Sequence, residues 1–247
     1  MDINYELYKV FYYVASSLSF SEASKKLFIS QSAVSQSIKT LEKKLGQLHI
    51  GASDTICRYF LVPYLKEFHK KFPNVPIKVT NATSIQCVEL LDQRKVDLIV
   101  TNFPNGHLNT EYIQKNIHTF HDVFVANPNY FDFGDKEISF EELKAHPLMM
   151  LSRNSTTNEF LHNIFIQHQL ELVPDIELNS NDLLIDLARI GLGIAFVPDY
   201  CVDANDPDLT IISTKEKLPT RQMVVSVNTA FPVSTSTEEF LNILPTA

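Results

Sequence analysis

SFSEASKKLFISQSAVSQSIKTLEKK, residues 19–44, is the stretch on which the reading of the whole chain turns. Ser19 and Glu22 have the spacing of a capping box, so a helix is expected from Phe20 through Leu27. Phe28 and Ile29 interrupt the pattern, and Ser30 offers a second N-cap. Ala33, Val34, Ile38, Leu41 and Leu45 then recur at helical spacing, and Gly46 supplies a C-terminal stop. The opposite face carries Gln31, Ser32, Ser35, Gln36 and Lys39. Amide, hydroxyl and ammonium groups at the start of a helix suit major-groove reading, with Lys25 and Lys26 placed for phosphates. A plain amphipathic helix pair with a solvated polar face explains the spacing equally well. Upstream, Leu7, Val10, Phe11 and Val14 form a stripe on a first helix, Tyr5 to Ser16, that can pack beneath the pair.

The residues themselves go further than the spacing. The run ASKKLFISQSAVSQSIKTLEKKLG, residues 23–46, resembles the winged helix-turn-helix of LysR-type transcriptional regulators. LHIG at 48–51, VDLIVT at 96–101 and IGLGIAFVP at 190–198 are similar to segments of that family's effector domain, which has the fold of type II periplasmic binding proteins. The resemblance implies an N-terminal all-α winged helix-turn-helix domain at 1–46 and an α/β effector domain of two subdomains at 48–247. Subdomain I is expected at 48–119 and 219–247, and subdomain II at 120–218. The family's β-hairpin wing and long pairing helix have no counterpart where LEKKLG runs into QLHIGAS. Either the polypeptide lacks them or residues intervene between Gly46 and Gln47.

Charge is segregated along the chain. The total is −8, yet residues 1–46 hold six Lys against four acidic residues, a net of +2, leaving −10 for the rest. Only the N-terminal segment is therefore suited to DNA, and it contains no Arg. A hydrophobic fraction of 45% with 20% charged residues fits a water-soluble globular chain. No apolar run reaches membrane-spanning length and the N-terminus lacks a basic signal head, so a cytoplasmic protein is expected. Cys57, Cys87 and Cys201 are widely spaced and read as incidental thiols.

From Leu48 onward, strands and helices alternate. Leu48–Ala52, Pro76–Thr80 and Val96–Thr101 are expected strands, with helices at Ile56–Phe72 and Ser84–Gln93. Pro63 should kink the first of these. A similar set follows: strands Leu148–Leu151, Asp175–Leu178 and Ile194–Val197, and helices Thr156–Gln169 and Asp182–Arg189. A last helix, Thr235–Leu244, has capping-box spacing at Thr235 and Glu238 and returns to subdomain I. The pattern predicts parallel sheets covered on both faces.

Ligands in such sheets sit beyond the carboxyl ends of strands, where helix N-termini present N–H groups. Ser53 and Thr55, Thr101 and Asn102, and Ser152, Arg153 and Thr157 occupy those positions, with Arg153 a candidate clamp for an anion. Helix capping alone accounts for each Ser, Thr and Asn, and a surface ion pair for Arg153. Asp54 counts against an anion at the first segment. No His or Cys spacing suits a metal, and neither a nucleotide loop nor a nucleophile elbow is present, so neither cofactor nor catalysis is expected. The expected partners are double-stranded DNA, a small-molecule effector of anionic character and further copies of the chain, as a homodimer or homotetramer, with no membrane. The competing reading is a cytoplasmic solute-binding protein with a non-functional DNA-binding module.

Overall fold

The computed structural model describes residues 5–44, 46–134 and 136–247, with the side chains of Tyr5 and residues 39–44 also outside the description. Three helices come first: α1 (Tyr5–Ser17), α2 (Phe20–Leu27) and α3 (Gln31–Lys44). Ser19 caps α2 by accepting from the Glu22 N–H, and Phe28 ends it in a left-handed conformation at φ 57°. Ser30 caps α3 through the Ala33 N–H at 3.1 Å. Val10, Ala23, Val34 and Ile38 bury together, joined by Tyr13, Val14 and Leu27. Phe11 does not share this core as the expected stripe required, being 47% exposed. At 100° per residue, Tyr13 and Val14 follow Val10 onto the inner face and position 11 swings away.

Residues 45–47 connect α3 to β1 (Leu48–Ala52), so neither wing nor linker helix intervenes. Gly46 takes φ +81°, the left-handed region that ends helices and that glycine adopts without a Cβ penalty.

The rest builds two five-stranded sheets. The first contains β1, β2 (Ile77–Asn81), β3 (Leu98–Phe103), β4 (Ile113–Phe120) and β10 (Arg221–Ser226), in the order β2-β1-β3-β10-β4. The second contains β5 (Asp122–Ala126), β6 (Leu148–Leu151), β7 (Ile176–Leu178), β8 (Ile194–Pro198) and β9 (Thr210–Ile212), in the order β7-β6-β8-β5-β9. Each has three parallel strands and then an antiparallel strand, β10 in one and β5 in the other. The chain changes sheet at His121 and again between Ile212 and Arg221.

Helices cover both faces. The first sheet carries α4 (Asp54–Ile56), which runs through a wide π turn at Cys57–Leu61 into α5 (Val62–Lys71), and then α6 (Ser84–Asp92). Pro63 follows that π turn. Its ring cannot donate to the preceding turn, and the wider spiral accommodates the lost bond without ending the helix. The second sheet carries α7 (Phe140–Leu143), α8 (Thr156–Gln167) and α9 (Asn181–Arg189). The final helix, α10 (Thr235–Ile243), is capped by Ser234, not Thr235 as the spacing suggested. The Ser234 oxygen accepts the Thr237 N–H at 3.2 Å. Phe240 and Leu244 then pack with Leu48, Ile50, Phe68 and Phe120, returning the terminus to the first core.

Candidate functional site

The parallel strands of both sheets end at one cleft. Ser53 to Thr55 follow β1, Asn81 ends β2 with Ala82 to Ser84 after it, and Asn102 lies near the end of β3. From the other side come Leu151 at the end of β6 and Ser152 after it, Ser155 to Thr157 at the start of α8, and Asn179 and Asn181 after β7. These residues enclose a cavity of about 130 Å³. Thr83 caps α6 in a full capping box with Gln86, Ser155 caps α8, and Ser180 caps α9. Three helix N-termini of nine residues or more thus border the cavity with free N–H groups and positive dipole ends.

Contacts also bridge the cleft. The Asn181 side-chain N–H donates to Thr55 Oγ1 at 2.9 Å. Arg58 pairs with Asp182 at 3.2 Å, and the Tyr59 hydroxyl donates to the same carboxylate. Burial, and then that hydrogen bond, push the Tyr59 phenol up to about 12. At another edge His107 Nε2 lies 3.3 Å from Glu159.

Behind the α8 wall stands a charge that sequence reading missed. Arg221, the largest fully buried side chain, donates to Asp122 at 2.8 Å, Thr157 Oγ1 at 3.1 Å and Thr156 Oγ1 at 3.2 Å. Its guanidinium lies over the Phe160 ring, 4.7 Å from the centroid. An arginine in TRQMVVSV carries no local sign that tertiary structure will bury it.

Of the seven expected effector residues, Ser53, Thr55, Asn102, Ser152 and Thr157 line the cavity. Thr101 and Arg153 do not. Thr101 is fully buried, with its hydroxyl donating to the Asn102 carbonyl, because adjacent strand residues point to opposite faces. The Arg153 side chain is 82% exposed, 3.8 Å from Glu177, on a separate outer groove. Asn81, Thr83, Ser84, Asn179 and Asn181 join the lining unexpected, while Ser155 and Thr156 come with the segment from Ser152 to Thr157. Their only local sign was the Ser/Thr/Asn capping chemistry repeated after each strand.

On α3, Gln31, Ser32 and Gln36 are exposed and Ser35 is half-buried, while Val34 and Ile38 face inward. The Lys39 side chain lies outside the described residues. Lys25 and Lys26 are exposed on α2, Lys25 within 3.9 Å of Glu22. Burial pushes the Cys57 thiol up to about 11 and the Cys87 thiol up to about 12. Among the described residues no His, Cys, Asp and Glu group could hold a metal ion, and no helix is long and apolar enough to cross a membrane.

Residues 5–48 match the family model described as a bacterial regulatory helix-turn-helix protein of the lysR family, and residues 42–247 match the LysR substrate binding domain. The chain belongs to the LysR family of transcriptional regulators. It is a DNA-binding regulator with an effector-binding domain, and this is a family of regulators, not of enzymes. The two matches overlap at 42–48, so no residues lie between them. This LysR-family chain is 25% identical to a probable RuBisCO transcriptional regulator of Thalassiosira pseudonana, over 79% of its own length and 81% of the relative's. That alignment spans 249 positions, whereas 79% of 247 residues is about 195, leaving about 54 positions with no counterpart here. Among solved structures, the regulatory domain of CcmR from Synechocystis PCC6803, in complex with 2-PG, matches with a TM-score of 0.71 at 21% identity. It covers 80% of this chain and 94% of that one. The effector-binding domain of QuiR in complex with shikimate matches at 0.67 and 13% identity, with the same coverage. At these identities the likeness establishes the fold.

Proposed function

We propose that this LysR-family regulator reads duplex DNA through α3 and is switched by a small anionic effector bound between its two α/β subdomains. The observation that carries the second half is the convergence of the α6, α8 and α9 N-termini on one polar cavity at the carboxyl ends of two sets of parallel strands. Two structural relatives hold small molecules, 2-PG and shikimate, in domains of this fold. Ser53, Thr55, Asn102, Ser152 and Thr157 are the proposed effector contacts. On the DNA side the proposed groove contacts are the exposed Gln31, Ser32 and Gln36, together with Ser35 and with Lys39 as the sequence suggests, and Lys25 and Lys26 are the proposed phosphate contacts. Assembly into a dimer or tetramer then lets cleft closure alter spacing on DNA.

The test uses the full chain and duplexes that it selects from a randomised pool. Gln36→Ala is expected to relax preference at one base position, costing about 1–3 kcal/mol there. Ser152→Trp, which places an indole in the cavity, is expected to leave DNA binding intact and abolish its response to small anions. Unchanged affinity and specificity in Gln36→Ala removes the groove assignment. A response that survives Ser152→Trp removes the cleft.

A further inference from the structure

Arg221 is rooted in one sheet and makes its hydrogen bonds to the other. It opens β10, where it pairs with Phe120 of β4 in the first sheet. The three acceptors that its guanidinium reaches belong to the second: Asp122 opens β5, and Thr156 and Thr157 open α8. The rings of Phe160 and Phe120 lie 4.7 and 5.5 Å from its central carbon. A planar guanidinium can serve several acceptors from fixed directions at once, which an ammonium cannot. Asp122 balances its charge, so what Arg221 brings to the cleft wall is orientation.

The same two threonines hold the backbone donors that α8 leaves over. A helix begins with four N–H groups that have no intrahelical acceptor. In α8, Ser155 N–H donates to the Ser152 carbonyl at 3.1 Å and Asn158 N–H to Ser155 Oγ at 3.2 Å. The N–H groups of Thr156 and Thr157 meet no protein acceptor among the described residues. Both residues line the cavity. Their hydroxyls are turned back to Arg221, while first-turn N–H groups point out of a helix along its axis.

We infer that Arg221 is a positioning residue for the effector. At zero exposure it touches no ligand, but by gripping Thr156 and Thr157 it fixes the two free N–H donors of α8 and ties them to the first sheet. This rests on the cleft being the effector site. Donors held in place beforehand bind an anion without an ordering cost at the moment of binding. Because the grip comes from β10, an anion drawn to those donors also senses how the two sheets are set against each other.

The experiment uses the full chain, with inorganic phosphate and sulfate as probes. Calorimetry gives affinity, and ¹⁵N relaxation gives the order of the Thr156 and Thr157 N–H groups. At least one probe is expected to bind the wild type and to shift those two amide signals. Thr156→Val and Thr157→Val keep side-chain shape and both N–H groups but remove an acceptor of Arg221. Each is expected to weaken the probe about fivefold and, already in the ligand-free chain, to lower the order parameters of those N–H groups from about 0.85 towards 0.6. Thr156→Ser and Thr157→Ser keep the hydroxyl and are expected to match the wild type in both. Arg221→Lys keeps the charge without the fork and is expected to weaken the probe about tenfold, with Thr157→Val costing nothing further on top of it.

Valine variants that fold by thermal unfolding and bind as the wild type overturn the inference. So do valine variants that weaken the probe while the ligand-free N–H groups stay rigid, since the hydroxyl is then only a direct contact. A full Thr157→Val loss in the Arg221→Lys background does the same, and if Arg221→Lys does not fold, the valine and serine variants decide alone. Ser152→Trp separates the two levels. A wild type that binds neither probe, or binding that survives Ser152→Trp, overturns the cleft itself. Binding lost in Ser152→Trp but untouched in the valine variants overturns only the role of Arg221.

Discussion

At position 221 a guanidinium has been carried out of water to zero exposure, and Asp122 beside it is equally buried. Burial pushes the Asp122 carboxyl up, and the adjacent guanidinium pulls against that shift. The Nε of Arg221 and one Asp122 oxygen have no partner, so the pair is incompletely satisfied. Removing one half is therefore worse than removing both. Arg221→Met is expected to cost about 3–5 kcal/mol at neutral pH, and Arg221→Met with Asp122→Leu to recover most of it. In the single variant Asp122 loses its counter-charge, so its folded pKa stands above the unfolded value. Between those values the folded state binds more protons than the unfolded, and stability rises as pH falls. Urea denaturation at pH 8 and pH 5 checks this. A deficit that is the same at both, or larger at pH 5, contradicts the assignment.

Among the elements, α6 shows how local chemistry prepares the cleft. The Thr83 hydroxyl accepts the Gln86 N–H at 3.2 Å, and the Gln86 side chain accepts the Thr83 N–H at 3.1 Å. Cys87, Val88 and Leu91 then bury the inner face of the helix against Val96 and Ile99. Those apolar contacts hold the helix down while the cap sets where its N-terminus points. Thr83→Ala is expected to cost about 1 kcal/mol in urea denaturation, since one orphan N–H loses its partner. A loss above about 3 kcal/mol would mean that the hydroxyl supports more than the cap. Strands tell a different story. β1 to β3 and β6 to β8 announce themselves as short apolar runs, but β5 and β10 insert antiparallel between strands distant in sequence. Their partners are set by the double crossing, not by any local pattern.

Over the whole molecule, the join at 45–47 governs how the DNA-binding part is used. Residues 1–46 carry a net charge of only +2 and no Arg. The electrostatic term for one such module is small, in the range of non-specific binding, about 10⁻⁴–10⁻⁶ M at physiological salt. Among the described residues no helix stands between α3 and β1. Tight operator binding is then expected to depend on association through residues 48–247. Diluting the full chain should lower DNA affinity in step with the loss of assembly, followed by anisotropy and sedimentation on the same samples. A monomer in solution that binds its selected duplex at nanomolar concentration would contradict this.

Residues 19–46 by themselves determined the helix-turn-helix, because caps, apolar period and glycine stop are all contacts within a few residues of one another. Alternating apolar runs likewise determined the two α/β units, and Ser, Thr and Asn after each strand marked the helix N-termini that meet at the cleft. Tertiary structure alone decided which of those residues share one cavity. Thr101 and Asn102 are neighbours in the chain, yet the strand's two-residue period buries one and leaves the other in the lining. Arg153 looked like the ion clamp and points outward, while Arg221, 68 residues further along, stands behind the cleft wall. Local patterns encode what a residue does to its own turn of backbone. Burial of a charge depends on partners such as Asp122 and Thr157, which only the packing of two sheets brings within hydrogen-bond distance.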